Sequence, residues 1–266
     1  MGGPLMETIM QVVSNTPKPA NRKRINLALQ GGGAHGAFTW GVLDCILEDG
    51  RLEIDAISGT SAGAMNAVAL ADGFTAGGAE GAREKLENFW RTMSDAAKNS
   101  PIKRAPIDVM MGYWSLDRSW GYHAMDAMSR MFSPYQLNPL NMNPLRDVLE
   151  DCIDFSCVQS CNSIKLYISA TNVETGKVKV FDSHNLTSDM VIASACLPNV
   201  YQAVVIDGVP YWDGGYMGNP ASRSILAAIA AILPSFRSIP WSAKASRVPR
   251  RTFKTGSTRS PLTPAY

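Results

Sequence analysis

The sequence contains little histidine, little cysteine and little charge for its length. Its 266 residues include 3 His and 5 Cys, and 18% of them are charged. The odd number of cysteines and the 45% apolar content favour a protein that buries a core without a disulfide framework. We therefore expect reduced cysteines and a cytoplasmic location. The composition also excludes a disordered chain, a collagen-like chain and a coiled coil.

Metal-site spacings and long apolar runs are also missing. Cys152, Cys157 and Cys161 lack the paired two-residue spacing of a zinc site, and no His lies near them. The apolar run at residues 225–233 has nine residues, whereas a bilayer span needs about 20. We expect no metal, no cofactor and no membrane span. Residues 1–24 are interpreted as a polar, Pro-containing leader. Their positive charges follow their apolar residues, the reverse of a secretory signal.

Acidic residues are absent from the C-terminal fifth of the chain. Residues 214–266 carry 8 Lys/Arg and no Asp or Glu, while residues 1–213 carry the other 17 Lys/Arg and all 23 Asp/Glu. The net charge of +2 is therefore an average over an acidic body and a purely basic tail.

Short apolar runs alternate with helical patterns in the first part of the chain. Residues 25–30 and 54–58 predict buried strands, and residues 37–48 and 61–71 predict helices. Asp49-Gly50 and Asp72-Gly73 are expected to end these two helices. The order strand, helix, strand, helix is typical of an α/β fold with parallel neighbouring strands. Further helices are predicted at residues 80–98, 145–155 and 187–195, the last with Thr187 as its N-cap. Further strands are predicted at residues 164–170, 178–181, 202–206 and 209–212, the last two joined by an Asp207-Gly208 hairpin turn.

Residues 100–142 are rich in methionine and aromatic residues, are interrupted by prolines, and have weak periodicity. Methionine fills irregular apolar surfaces and adapts to variable ligands. The segment is either a loosely patterned part of the core or a mobile apolar cap.

A glycine-rich loop follows the first predicted strand and precedes a helix. It reads Gly31, Gly32, Gly33, Ala34, His35, Gly36. These glycines fit a dinucleotide-binding pattern, but that fold places an acidic residue at the end of the second strand, and Asp55 stands near its start. The alternative is an anion hole, in which backbone N–H groups at a helix N-terminus converge on one spot.

A G-x-S-x-G pattern ends the second predicted strand. Gly59 and Gly63 flank Ser61 by two residues, which removes the Cβ atoms that would clash in a sharp strand-to-helix turn. The pattern predicts a nucleophilic serine; the alternative is a serine that caps an ordinary helix.

A nucleophilic serine needs a base, and the third motif supplies a candidate. Asp213 stands before Gly214 and Gly215, where an acidic residue is either a turn former or a catalytic group. No His follows Asp213, so the chain order Ser, Asp, His of an α/β-hydrolase is not available with this acid. A direct Ser61–Asp213 dyad remains, in which the carboxylate accepts the serine proton.

The ordered set GGGAHG, GTSAG and DGG resembles the patatin-like phospholipase family over about residues 25–219. The resemblance includes SATNVETGKVKVF and ASACLPNVYQAVVIDGVPYWDGG. It implies a three-layer α/β/α sandwich with a mainly parallel central sheet, in a domain over residues 25–220. By this resemblance Ser61 is the nucleophile, Asp213 the general base, and Gly32, Gly33 and Ala34 the oxyanion donors within the Gly31–Ala34 loop.

Two features depart from the family pattern. The family usually has Arg or Lys at the position of His35, and a neutral histidine adds no fixed positive charge near an oxyanion. Residues 221–266 continue without acid and with little periodicity. One hypothesis is a frameshifted or otherwise non-homologous tail; the other is a basic arm attracted to anionic lipid, at about 1 kcal/mol per Lys or Arg.

The sequence thus predicts a serine lipid acyl hydrolase with an acyl-Ser61 intermediate, acting on lipid or phospholipid, with residues 105–135 as the candidate acyl pocket. Its expected partners are a lipid substrate and a membrane surface that it contacts peripherally. Nucleic acid is not expected as a partner. A catalytically weak lipid-binding or regulatory protein is the alternative from a different class. Acyl transfer to an acceptor other than water would use the same residues.

Overall fold

The computed structural model describes residues 22–98, 106–112 and 118–219. The predicted basic tail, most of the predicted leader and part of the Met-rich segment lie outside the described residues.

The described residues form one mixed sheet, and most of its strands lie where the apolar runs predict them. The strands are β1 (Lys23–Leu29), β2 (Leu52–Gly59), β3 (Lys165–Asn172), β4 (Val178–Asp182), β5 (Val204–Ile206) and β6 (Val209–Asp213). Asp207 and Gly208 have φ of 51° and 80°, as the predicted hairpin turn between β5 and β6 requires.

The α-helices of the described residues are α1 (Gly36–Asp49), α2 (Ala62–Lys98), α3 (Pro106–Met110), α4 (Trp120–Met131), α5 (Pro134–Leu137), α6 (Pro144–Cys152), α7 (Phe155–Ser160) and α8 (Ser188–Ser194). Helices α1, α2, α6 and α8 lie where the sequence pattern predicts helices, whereas α3, α4 and α5 lie in residues 100–142, for which the pattern predicts no helix. Helix α1 ends at the predicted place, because Gly50 adopts a left-handed φ of 64° and its N–H bonds the Ile46 carbonyl.

Two predicted helix ends differ from the structure. Asp72-Gly73 does not end the second helix, because Asp72 is buried and its carboxylate accepts from Lys85 Nζ at 2.9 Å. The helical path breaks instead at Gly77 and Gly78. The single helix predicted over residues 145–155 is two helices, since the Asp154 carboxylate caps a new one by accepting from Ser156 N–H at 2.8 Å.

The strand order is β1-β2-β3-β6-β5, and β4 pairs with β3 outside this path. Strands β1, β2 and β3 are parallel neighbours, while β4 and β6 run antiparallel to β3. Tyr167 and Ile168 pair with both β2 and β4, and Ala170 and Thr171 pair with both β4 and β6. Because a strand has only two edges, β2 and β6 must lie end to end along the same edge of β3.

The main apolar core lies between the sheet and its helices. Its side chains come from one face of β1, β2 and β3 and from helices α1, α2, α6, α7 and α8. A small second cluster on the other face joins Ala56 and Tyr167 to Val178 and Val180 of β4. The predicted fold class, α/β with parallel central strands flanked by helices, is confirmed.

The Met-rich segment contributes none of its described residues to the main core. Met110, Trp120 and Met131 are exposed by 79%, 88% and 76%, and no residue of α4 is buried. In its described parts the segment is therefore not a core element. None of the helices in the described ranges has the length and apolar content of a membrane span.

Candidate active site

Ser61 lies in the sharp turn between β2 and α2. Its φ is +53°, the left-handed region that a non-glycine residue rarely adopts. The helix begins at once, since Ala64 N–H and Met65 N–H both bond the Ser61 carbonyl, at 2.8 and 3.1 Å. The serine therefore stands at the junction of strand and helix, as the G-x-S-x-G pattern predicts.

The two flanking glycines are needed because backbone passes very close to them. A Cβ on Gly59 would lie 2.7 Å from the Gly63 carbonyl oxygen, and a Cβ on Gly63 would overlap the Leu29 carbonyl oxygen. The turn therefore packs directly on the end of β1, which leads into the glycine loop.

A distant serine holds the backbone of the turn. The Ser61 N–H donates to Ser194 Oγ at 2.9 Å, and Ser194 is fully buried at the end of α8. The sequence patterns did not predict this contact, because Ser194 follows an ordinary helical pattern with no catalytic motif around it.

Asp213 ends β6 and is buried. Its N–H donates to the Cys196 carbonyl at 2.9 Å, and its carbonyl accepts from Thr171 Oγ1 at 2.8 Å. Its carboxylate accepts from Gly215 N–H at 2.6 Å. Both backbone groups and one carboxylate oxygen are thus paired, which fixes the side chain in one direction. Gly214 packs against the backbone of Ser169 on β3.

The environment of Asp213 changes the acidity of its carboxyl. Burial raises the pKa of Asp213, while hydrogen bonding from Gly215 N–H and the approach of the Ser61 side chain lower it in part. Burial, with a smaller contribution from the Asp213 charge, also raises the pKa of the Cys196 thiol to about 11. The Cys196 thiol is therefore neutral. A carboxylate with a raised pKa is a stronger base than an ordinary aspartate.

The register of β3 brings Ser61 and Asp213 together. Gly59 pairs with Ile168 and Asp213 pairs with Ala170, so β2 and β6 end two residues apart along β3, about 7 Å. Between these ends lies Ser169, whose buried hydroxyl is 2.6 Å from Thr60 Oγ1. The turn that carries the serine and the turn that carries the aspartate therefore meet.

The glycine loop lies against the same turn. A Cβ on Gly31 would be 2.8 Å from the Ser61 Cβ. Within the described residues, the N–H groups of Gly32, Gly33 and Ala34 have no hydrogen-bond partner, because they open the short 3-10 turn Gly33–His35. These free amides beside the serine are the groups that an anion hole needs. Gly36 begins α1 and packs on Ala62 and Trp90.

His35 is exposed and contacts the loop from which it comes. The ring Nδ1 of His35 is 3.0 Å from the Gly32 carbonyl oxygen, and the backbone N–H of His35 donates to the same oxygen at 3.1 Å. In the tautomer that carries a proton on Nδ1, the ring closes the turn with a second hydrogen bond. His35 thus supports the shape of the loop.

One further residue at the site has no counterpart among the predicted residues. Asn219, six residues beyond Asp213, pairs with the backbone of Gly31: Gly31 N–H donates to Asn219 Oδ1 at 2.6 Å. Because this contact occupies the Gly31 amide, the free amides of the loop are those of the following three residues. An asparagine before a proline is a turn signal in the sequence, and nothing local links it to Gly31.

No group of three His, Cys, Asp or Glu residues in the described ranges could hold a metal ion. An open apolar groove of about 690 Å³ runs along α1, between Phe38 and Leu52, and contains neither Ser61 nor Asp213. The prediction that residues 105–135 form an acyl pocket stays a prediction.

The patatin-like phospholipase model matches residues 27–224, most of the chain. The chain belongs to the patatin-like phospholipase family, as its motifs predict. No match was found among curated proteins.

Two solved structures that match this chain are VipD and ExoU. VipD from Legionella pneumophila is 16% identical with a TM-score of 0.40, over 73% of this chain and 46% of that chain. ExoU, in its heterodimeric complex with SpcU from the type III secretion system of Pseudomonas aeruginosa, is 16% identical with a TM-score of 0.34, over 67% of this chain and 37% of that chain. The chain thus spans less than half the length of either.

Proposed function

We propose that this protein hydrolyses the carboxylic ester bonds of lipids or phospholipids, with Ser61 as nucleophile and Asp213 as general base. The main support is the meeting of three features at the ends of β1, β2 and β6: free amides of a glycine loop, a serine in a strand-to-helix turn, and a buried aspartate. Membership of the patatin-like phospholipase family supports lipid as the substrate class.

In the first half of the reaction, Ser61 Oγ attacks the ester carbonyl carbon as its proton passes to the Asp213 carboxylate. The carbonyl oxygen becomes negative, and the N–H groups of Gly32, Gly33 and Ala34 donate to it. Collapse of this intermediate breaks the ester C–O bond. The leaving alcohol oxygen takes the proton from Asp213, and the acyl group stays on Ser61.

In the second half, a water molecule attacks the acyl-Ser61 ester while Asp213 takes one of its protons. The same amides stabilise the second oxyanion. The fatty acid then leaves, and the proton on Asp213 returns to Ser61 Oγ. The protein groups thus end in their initial state, and no cofactor is needed. The raised pKa of Asp213 suits it to accept and return a proton.

The exposed Met and aromatic side chains of α4 are suited to contact with a lipid surface, from which the substrate would come. In this proposal such contact is peripheral, since none of the described helices could span a membrane.

The proposal is tested by Ser61→Ala in the full chain. We expect wild-type protein to hydrolyse p-nitrophenyl acyl esters, to release fatty acid from phospholipid vesicles, and to be labelled by a fluorophosphonate probe; Ser61→Ala should lose all three. Ser188→Ala is the matched control, because that hydroxyl only donates to Glu150 in an exposed pair. Tight lipid binding by wild-type protein without labelling would instead favour a lipid-binding or regulatory protein.

A further inference from the structure

The side chain of Asn219 pairs with both polar backbone groups of Gly31. Gly31 N–H donates to Asn219 Oδ1 at 2.6 Å, and Asn219 Nδ2 donates to the Gly31 carbonyl at 3.2 Å. This is the two-bond pattern by which residues of neighbouring antiparallel strands pair. The pattern also determines the orientation of the amide group, because only one arrangement satisfies both Gly31 groups.

A third contact strengthens this connection between distant parts of the chain. Gln30 Nε2 donates to the Asn219 carbonyl oxygen at 3.3 Å. Backbone and side chain of Asn219 therefore both bind the start of the glycine loop, across a sequence separation of 188 residues from Gly31.

Gly31 is held between Asn219 and Ser61. On one side it bonds Asn219; on the other, its Cα packs so closely on Ser61 that a Cβ there would lie 2.8 Å from the Ser61 Cβ. The next three residues carry the free N–H groups. A shift of Gly31 would therefore move these amides relative to Ser61 Oγ.

Asn219 also belongs to the segment that carries Asp213. The six residues from one to the other include the 3-10 turn Gly214–Tyr216, and the Gly214 carbonyl accepts from Met217 N–H at 3.1 Å and Gly218 N–H at 3.2 Å. A short segment with its own hydrogen bonds thus connects the aspartate to the glycine loop.

We propose that Asn219 is a positioning residue that holds the glycine loop in register with Ser61, so that oxyanion stabilisation depends on the same segment that supplies the base. This inference rests on the proposed function, since it assigns the loop to the oxyanion. Asn219 itself touches neither the nucleophile nor the reacting atoms in this role. Its effect is transmitted through Gly31.

The hydrogen bond is tested first, without any activity measurement. In the described residues Gly31 N–H bonds only Asn219, so Asn219→Ala in the full chain should accelerate hydrogen–deuterium exchange of the Gly31 amide by about tenfold or more. Asn219→Asp keeps the acceptor and loses the donor, and should exchange at an intermediate rate. Unchanged Gly31 exchange in both variants would overturn the inference.

The catalytic consequence is tested with a pair of substrates. A p-nitrophenyl ester and its thionoester differ only in the atom that becomes the oxyanion or thioanion, and sulfur is the weaker hydrogen-bond acceptor. Displacement of donors by about 1 Å can cost 10²-fold. We expect Asn219→Ala to lower kcat for the oxoester 10- to 100-fold with little change in KM, and to lower the thionoester rate much less.

A purely structural role would give a different result. If Asn219→Ala only reduces the amount of folded protein, both rates fall by the same factor and the oxoester-to-thionoester ratio stays that of wild type. An unchanged ratio in this variant would overturn the positioning role. Asn143→Ala is the matched control, because Asn143 also accepts a backbone N–H, from Leu145 at 3.1 Å, at the start of a helix that carries none of the site residues; its oxoester-to-thionoester ratio should equal that of wild type. Faster Gly31 exchange in a protein without Ser61-dependent hydrolysis would overturn the proposed function and keep the hydrogen-bond assignment.

Discussion

The turns that carry Ser61 and Asp213 meet at one edge of β3, but they are held in opposite ways. The Ser61 turn has a left-handed φ and depends on two glycines whose missing side chains let three backbone segments approach. Asp213 has a negative φ of −45°, and its N–H, its carbonyl and one carboxylate oxygen are all hydrogen bonded.

This difference suits the two proposed roles. A nucleophile must present its hydroxyl to substrate, and a strained turn exposes it at the cost of local stability. A base must keep one direction and a raised pKa, and a paired, buried carboxylate achieves both. The serine turn should therefore be sensitive to added atoms, and the aspartate turn to the loss of charge or of hydrogen bonds.

The largest effect is expected from Gly63→Ala. The new Cβ would overlap the Leu29 carbonyl, and because backbone cannot move aside cheaply we expect a loss of at least about 3 kcal/mol in the free energy of unfolding. Gly41→Ala on α1 is the control: nothing lies within 4 Å of its Cβ, and higher helix propensity should add about 1 kcal/mol. Urea denaturation measures both, and equal stability of the two variants would contradict the close packing of the serine turn.

The next effect is expected from Asp213→Asn, with opposite signs for activity and stability. Loss of the base should lower kcat by about 10²–10⁴-fold. The pKa of Asp213 is raised in the folded state. Its contribution to the free energy of unfolding is therefore fully present at pH values below the ordinary aspartate pKa. That contribution is lost as the pH rises through the raised pKa of the folded state, because the buried carboxyl then has to ionise. At pH 7 the neutral amide should therefore raise Tm.

The pH dependence separates these two effects. The Tm difference between Asp213→Asn and wild type should disappear at pH values below the ordinary aspartate pKa of about 3.9. In wild type, the acid limb of kcat/KM should lie above that value, because the base must be ionised to act. An acid limb at or below the ordinary value, or a Tm difference that does not change with pH, would contradict the proposed role of burial.

A smaller effect is expected from Ser194→Ala. It leaves the partly buried Ser61 N–H without its partner, which should cost about 1–3 kcal/mol and lower the rate of fluorophosphonate labelling. Ser160→Ala provides the comparison, since Ser160 also ends a helix but is exposed and only donates to the Cys157 carbonyl. Unfolding and labelling should be measured on both; identical behaviour would show that the serine turn does not need this support.

The smallest effect is expected from Ser61→Gly compared with Ser61→Ala. Both lack the hydroxyl and should be inactive, but glycine adopts a positive φ without a Cβ penalty. Ser61→Gly should therefore be more stable than Ser61→Ala by about 1 kcal/mol, measured by thermal unfolding. Greater stability of the alanine variant would show that the turn is not strained at this residue.

Local signals in the sequence predicted much of the fold correctly. The left-handed Gly50 ends α1, Thr187 caps α8 by accepting from Met190 N–H at 3.4 Å, and Asp207-Gly208 forms the hairpin turn. Each of these features depends on neighbours within a few residues. Asp72-Gly73 has the same local signal, yet its tertiary partner Lys85 keeps Asp72 inside a longer helical path.

The sequence by itself determined the α/β class, the family and the candidate groups of the site, because strand runs, glycine turns and motif spacing are properties of adjacent residues. Only the tertiary structure decided that β2 and β6 share one edge of β3, that Ser194 holds the serine turn, and that Asn219 holds the glycine loop. The last two contacts join residues 133 and 188 positions apart. Such contacts follow from the register of the sheet, which no local pattern in the sequence determines.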